Sequence, residues 1–157
     1  MKASELAGLI PECCSEVLDA MFFTAVLGSV SLDAVPGPVV DDVAMAFSLR
    51  FIGDISGRFG LHLQQTAARN LAANFLGEAD TDISPIAVSE VIGELANMLC
   101  GSVMSRVEGE RSFALSHPVA GSMTPPHDCD SLVISTLETE VGAITIWIAI
   151  EGSPCLS

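Results

Sequence analysis

Between Val43 and Leu63 the hydrophobic period is two. Val43, Met45, Phe47, Leu49 and Phe51 alternate with Ala44, Ala46, Ser48 and Arg50; after the turn Gly53-Asp-Ile-Ser-Gly57, Phe59, Leu61 and Leu63 alternate again. Each run presents one apolar face, so the segment predicts an antiparallel hairpin with one side turned to a core. On either side the period becomes helical. Upstream, Cys14, Val17, Leu18, Met21, Phe22, Ala25 and Val26 recur at helical spacing. Pro11 suits the first position of that helix, Glu12 and Glu16 its early turns, and Gly28 its stop. Residues 29–42, with Pro36-Gly-Pro38, read as a loop. Downstream, Thr66 can cap a helix that carries Leu71, Phe75 and Leu76 inward and ends at Gly77. Ser84-Pro85 then opens a long helix running to about Val107. Three extended runs follow: Arg111 to Val119, Ser131 to Leu137, and Gly142 to Ile150, the last two joined by a turn at Glu138 to Val141. The final run is apolar at nearly every position, which predicts a strand buried on both sides.

The order is helix, strand, strand, helix, then helix, strand, strand, strand. Two pseudo-repeats, each opening with a long helix followed by antiparallel strands, make the class α+β rather than doubly wound. The 157 residues suit one domain spanning 1–157, with a core from about 5 to 150. A chain of this size buries roughly two-thirds of its unfolded surface and needs no disulfide or metal staple.

Charge narrows the function classes. Twenty Asp and Glu against six Lys and Arg give a formal net charge of −14. The bases Lys2, Arg50, Arg58, Arg69, Arg106 and Arg111 are scattered, so nucleic acid, which is held by clustered cations, is not an expected partner. The same field opposes free phosphorylated metabolites and acidic membrane surfaces. Half of the residues are apolar, yet no uninterrupted apolar stretch approaches the ~18–20 residues of a membrane span. Glu5 interrupts the beginning of the chain where a signal peptide would be apolar, which predicts a cytoplasmic protein. The five cysteines show no metal-ligand spacing and read as small core hydrophobes.

The chemistry-bearing segment lies on the long helix, between Ser89 and Ser105. At about 100° per residue, Glu90, Glu94, Asn97 and Gly101 fall within roughly 60° of one another. Val88, Val91, Ile92, Leu95, Met98, Leu99 and Val103 occupy the opposite side. Gly101 ends the ridge without a side chain, leaving room for close approach. Surface glutamates are ordinary helix formers, but a mid-helix asparagine is unfavourable unless its amide has a task. Two carboxylates four residues apart can share a cation, but a di-iron helix carries Glu-x-x-His, and here the fourth residue is asparagine. His62, His117 and His127 fall in other elements and read as surface or satisfied histidines. A third option, beside a solvated helix face and a shared cation, is an interaction ridge, in which Glu94 meets a partner's lysine and Asn97, donor and acceptor at once, holds a water.

Glu94-Leu-Ala-Asn97-Met-Leu-Cys-Gly101, preceded by Val91-Ile-Gly93, resembles the Glu-x-x-Asn signature of the CheX members of the CheC/CheX/FliY phosphatase family. Phe51 to Gly57 with Leu61-His-Leu63 resembles that family's glycine-bearing hairpin, and Ala67 to Leu71 with Phe75-Leu-Gly77 its middle helix. Leu115-Ser-His-Pro118-Val-Ala-Gly121 resembles the strand ending in the family's downstream proline.

The resemblance implies a CheC-like fold and a phosphatase that dephosphorylates the aspartyl phosphate of a CheY-type response-regulator receiver domain. By it, Glu94 pairs with the receiver's lysine and Asn97 orients the attacking water, with Glu90, Gly101 and Pro118 in the partner-binding surface. No cofactor or metal is expected on this chain, because the Mg2+ belongs to the receiver. Positioning a nucleophile against an already reactive acyl phosphate suffices for much of the acceleration. Family members often carry Asp or Ser where this chain has Glu90. The first helix offers no Glu-x-x-Asn, so one site per chain is expected, in a homodimer with sheet pairing between subunits. The alternative is a non-catalytic module of the flagellar-switch type that sequesters or scaffolds a response regulator.

Overall fold

The computed structural model describes residues 3–30, 44–108, 113–121, 129 and 131–151. The elements in chain order are α1 (Ala3–Phe22), β1 (Val26–Val30), β2 (Ala44–Ile52), β3 (Gly57–Gln64), α2 (Gln65–Leu76), a 3-10 turn (Asp80–Asp82), α3 (Pro85–Glu108), β4 (Ala114–Leu115), β5 (Val119–Ala120), β6 (Ser131–Thr139) and β7 (Gly142–Ile150). The α+β class expected from the sequence is present, as a mixed layer of helices on one antiparallel sheet.

The alternation of β2 and β3 sorts their side chains as expected. Phe47, Leu49 and Phe51 are buried opposite Leu61, Phe59 and Gly57 in an unbroken antiparallel register. Ile144, Ile146 and Ile148 of β7 continue that face, opposite Leu63, Leu61 and Phe59. These residues form one core with Leu18 and Phe22 of α1, Leu71 of α2, and Ile92, Leu95 and Leu99 of α3. By composition, α3 is long and apolar enough over Pro85–Val107 to cross a membrane. Its apolar side is instead spent in this core, against α1, α2 and β2.

The sheet order is β1-β6-β7-β3-β2, with β4 and β5 both pairing with the far side of β2. The β2–β3 and β6–β7 hairpins sit back to back through β3 and β7. Each half lends its first strand to the other half's hairpin: β1 pairs with β6, while β4 and β5 pair with β2. The strand order therefore reads the same from either edge. β7 is apolar on both faces because it is central. On the face away from the helices, its Trp147 lies opposite Gly60, where any Cβ would overlap the indole.

Three boundaries differ from the sequence reading. α1 begins at Ala3 and Pro11 lies inside it. Leu6 and Ile10 extend the buried stripe by two turns, and this burial outweighs the lost proline donor. The helix ends at Phe22, not Gly28, because Phe23 takes the left-handed conformation (φ 51°) and Thr24 N–H reaches back to the Leu18 carbonyl at 3.0 Å. Gly28 belongs to β1. Finally, the α2 N-cap is Gln64 rather than Thr66, whereas its stop at Gly77 (φ 69°) is as expected. The expected 29–42 loop lies mostly outside the described residues.

Candidate functional site

The first of the three expected extended runs, Arg111 to Val119, begins outside the described residues and is broken into β4 and β5 by Ser116-His117-Pro118. Leu115 pairs with Phe51 and Val119 with Ser48, so four steps along this segment oppose three along β2. The extra residue makes a β-bulge, which turns the chain locally out of the ladder. Pro118 has no N–H to donate to a strand partner, which favours the break at this point. Ser116 holds the bulge down: its N–H donates to the Arg50 carbonyl (2.9 Å) and its Oγ accepts the Arg50 N–H (2.8 Å). Gly121 N–H, donating to the Ala46 carbonyl at 3.2 Å, fixes the far end.

Facing this bulge is α3. Ser84 Oγ accepts the Ala87 N–H at 3.1 Å and caps the helix as its sequence predicts. Burial of Val88, Val91, Ile92, Leu95, Leu99 and Val103 then turns the opposite ridge outward. Glu90 and Glu94 are exposed and Asn97 is half-buried. Where α3 crosses β2 it carries Gly93, whose missing side chain lets Phe47 and Pro118 close in: a Cβ there would stand 3.5 Å from the Phe47 ring and 3.9 Å from Pro118 Cβ.

Helix and bulge together bound a cleft of about 550 Å³. Ile86, Ser89, Glu90, Gly93, Glu94 and Asn97 form the helical wall, His117, Pro118 and Ala120 the other, with Phe47 between them. Of the residues singled out from sequence, Glu90, Glu94, Asn97 and Pro118 meet here. Gly101 lies outside the lining; the group that approaches it is Leu115 of the same chain, 3.7 Å from where its Cβ would be. Phe47, Ile86, Ser89, His117 and Ala120 were not singled out as site residues. They come from separate elements, and only the bulge register brings His117 and Ala120 opposite α3.

One atom in the cleft stands apart chemically. Asn97 Oδ1 is withdrawn from solvent and accepts no hydrogen bond among the described residues. An amide oxygen in that state is costly, so a mid-helix asparagine kept there calls for a reason other than stability. Two exposed carboxylates lie on the same ridge, so the cleft suits a donor-rich, cationic visitor. Among the described residues no group of three or more His, Cys, Asp or Glu side chains is arranged to hold a metal ion.

Known structures share this architecture. The CheX protein of Vibrio vulnificus is 20% identical, with 96% of this chain and 99% of that one covered and a TM-score of 0.73. CheX in the CheX–CheY–BeF3–Mg2+ complex from Borrelia burgdorferi is 16% identical over 96% of this chain and 99% of that one, with a TM-score of 0.71. Thermotoga maritima FliY is more distant, 14% identical with 92% and 90% covered and a TM-score of 0.59. No curated protein matches the chain in sequence. The family model described as chemotaxis phosphatase CheX matches residues 45–135, a span that runs from β2 through the whole ridge, the bulge and half of β6. With the cleft inside that span, the chain belongs to the chemotaxis phosphatase CheX family.

Proposed function

We propose that this chain dephosphorylates the aspartyl phosphate of a CheY-type receiver domain. The observation that carries the reading is the unpaired, buried Oδ1 of Asn97 beside the exposed Glu94. When the receiver docks, its lysine pairs with Glu94, and Asn97 enters the phosphorylation site. On docking the half-buried side chain turns its amide out toward the receiver, where Oδ1 accepts a hydrogen from water and holds the water in line with the acyl phosphate. The water oxygen bonds to phosphorus as the bond to the aspartyl oxygen breaks, releasing the carboxylate and inorganic phosphate. Charge is supplied by the visitor, since the receiver brings its lysine and its Mg2+; this chain contributes positioning. Glu90 and Pro118, which flank the pair in the cleft, contact the receiver surface. Gly101 acts one layer back, through its packing against Leu115.

The test is to mix the protein with a phosphorylated receiver and follow phosphate loss. Asn97→Ala is expected to lose about 10²-fold of the acceleration, the usual cost of losing a positioned reactant. Turnover equal to wild type would overturn the role of Asn97. Receiver binding with no acceleration by the wild-type protein would favour the non-catalytic module.

We also propose a homodimer paired along β1 and acting in the cytoplasm. Among the described residues β1 pairs only with β6, which leaves its other edge open. Leu27 on that strand is 68% exposed and the adjacent Phe23 is 74% exposed. An open edge beside apolar surface is a template for strand pairing. The buried free thiols Cys13, Cys14 and Cys100 accord with a reducing compartment. Light scattering on wild type and Leu27→Asp checks the dimer; a wild-type monomer at micromolar concentration would sink it.

A further inference from the structure

We infer that His117 donates a ring N–H to the phosphoryl group of the docked receiver, from the wall opposite Asn97. This rests on the phosphatase reading above. A phosphoryl group crossing the transition state spreads its charge over three equatorial oxygens, and a positioned donor aimed at one of them adds to what the receiver's own lysine and Mg2+ supply. The helical wall presents carboxylates at Glu90 and Glu94 and small donors at Ser89 and Asn97. The bulge wall consists of His117, Pro118 and Ala120, so His117 is the one side chain there with a hydrogen to donate.

Among the described residues no other cationic side chain offers a substitute. Among the described arginines, Arg50 and Arg58 pair with Glu151, Arg106 pairs with Glu12 and Glu16, and Arg69 donates to the Ile83 carbonyl. None of them lines the cleft. In a chain of net charge −14, no Lys or Arg is among the described residues that line the cleft, and His117 is their one imidazole. Its placement is also built rather than incidental. The extra residue of the bulge lifts it from the ladder, and the paired hydrogen bonds between Ser116 and the Arg50 backbone fix the base from which it projects. His117 is exposed, so a substitution there leaves the core untouched.

The experiment compares wild type, His117→Ala and His117→Gln with a CheY-type receiver, either untreated or loaded with BeF3− and Mg2+ as a mimic of the phosphoryl group. Thermal unfolding verifies that each variant is folded. His117→Ala is expected to weaken binding of the BeF3−-loaded receiver about tenfold, while binding of the untreated receiver is unchanged; one charge-assisted hydrogen bond has this worth. Maximal turnover falls at least as much, and His117→Gln, which keeps a donor, recovers part of both losses. Equal weakening toward both receiver forms would make His117 a docking residue only and overturn the inference. So would unchanged discrimination and turnover, or a wild-type protein that does not prefer the loaded receiver. Preferential binding without wild-type turnover would refute the phosphatase reading, while the binding arm would still decide the role of His117.

Discussion

Trp147 and Gly60 face each other across the central strand pair, and the indole occupies the volume that a side chain on Gly60 would need. Gly60→Ala must push the ring aside, and overpacking of this kind costs about 2–3 kcal/mol. Trp147 is the only tryptophan, so its fluorescence reports the displacement directly. A lower urea midpoint and a red-shifted native emission are expected. Native emission identical to wild type would show that the ring does not depend on the glycine.

Asn97 leads to the opposite sign. Removing its unpartnered oxygen relieves a desolvation cost, and alanine is the better helix former. Asn97→Ala is expected to stabilise the fold by about 1 kcal/mol in denaturant unfolding, while losing the proposed activity. Such a trade is the mark of a residue kept for function. A destabilised variant would indicate that the amide serves the fold.

The thiols give a chemical check. Burial pushes the Cys100 thiol up to about 12 and that of Cys14 far above its ordinary value, with neighbouring Cys13 adding to the latter. Neither forms the reactive thiolate at pH 8. Mass spectrometry after iodoacetamide treatment of the native protein is expected to find Cys14 and Cys100 unmodified, and both alkylated in urea. Rapid native labelling of either would place it outside the core.

His62 makes stability depend on pH. Burial holds its imidazole below the ordinary value of 6.5. The unfolded chain therefore binds the proton first, and stability falls as pH drops from about 6.5 toward the lower folded value. His62→Gln is expected to flatten that part of the profile, measured as melting temperature between pH 7 and 5. An unchanged slope would assign the acid sensitivity to other groups.

Much of the fold was legible because burial and period coincide. The β2–β3 hairpin showed its alternation, and α3 its Ser84-Pro85 start and its apolar face. The ends of α1 were harder. Pro11 reads as a first helical position, yet Leu6 and Ile10 continue the buried face beyond it. Phe23 in a left-handed conformation has no signature in its own side chain. In the site, Glu94 and Asn97 were legible as neighbours on one helix. His117 was not, because a one-residue mismatch between β2 and the β4–β5 segment decides where it points, and such a mismatch exists only once both strands are paired.

The exchange of strands between the halves determines when the protein can fold. On the ribosome α1, β1, β2, β3 and α2 all emerge before any strand of the second half. β1 then waits for residues more than a hundred positions away, since Val26 pairs with Thr139. The middle of the sheet stays open until β7 arrives and inserts between β3 and β6. Such a chain cannot mature piece by piece; its closing step involves contacts between distant parts of the sequence, which makes it slow. Removing the nine residues of β7 would not shorten the molecule at its rim. It would take out the seam that joins its halves.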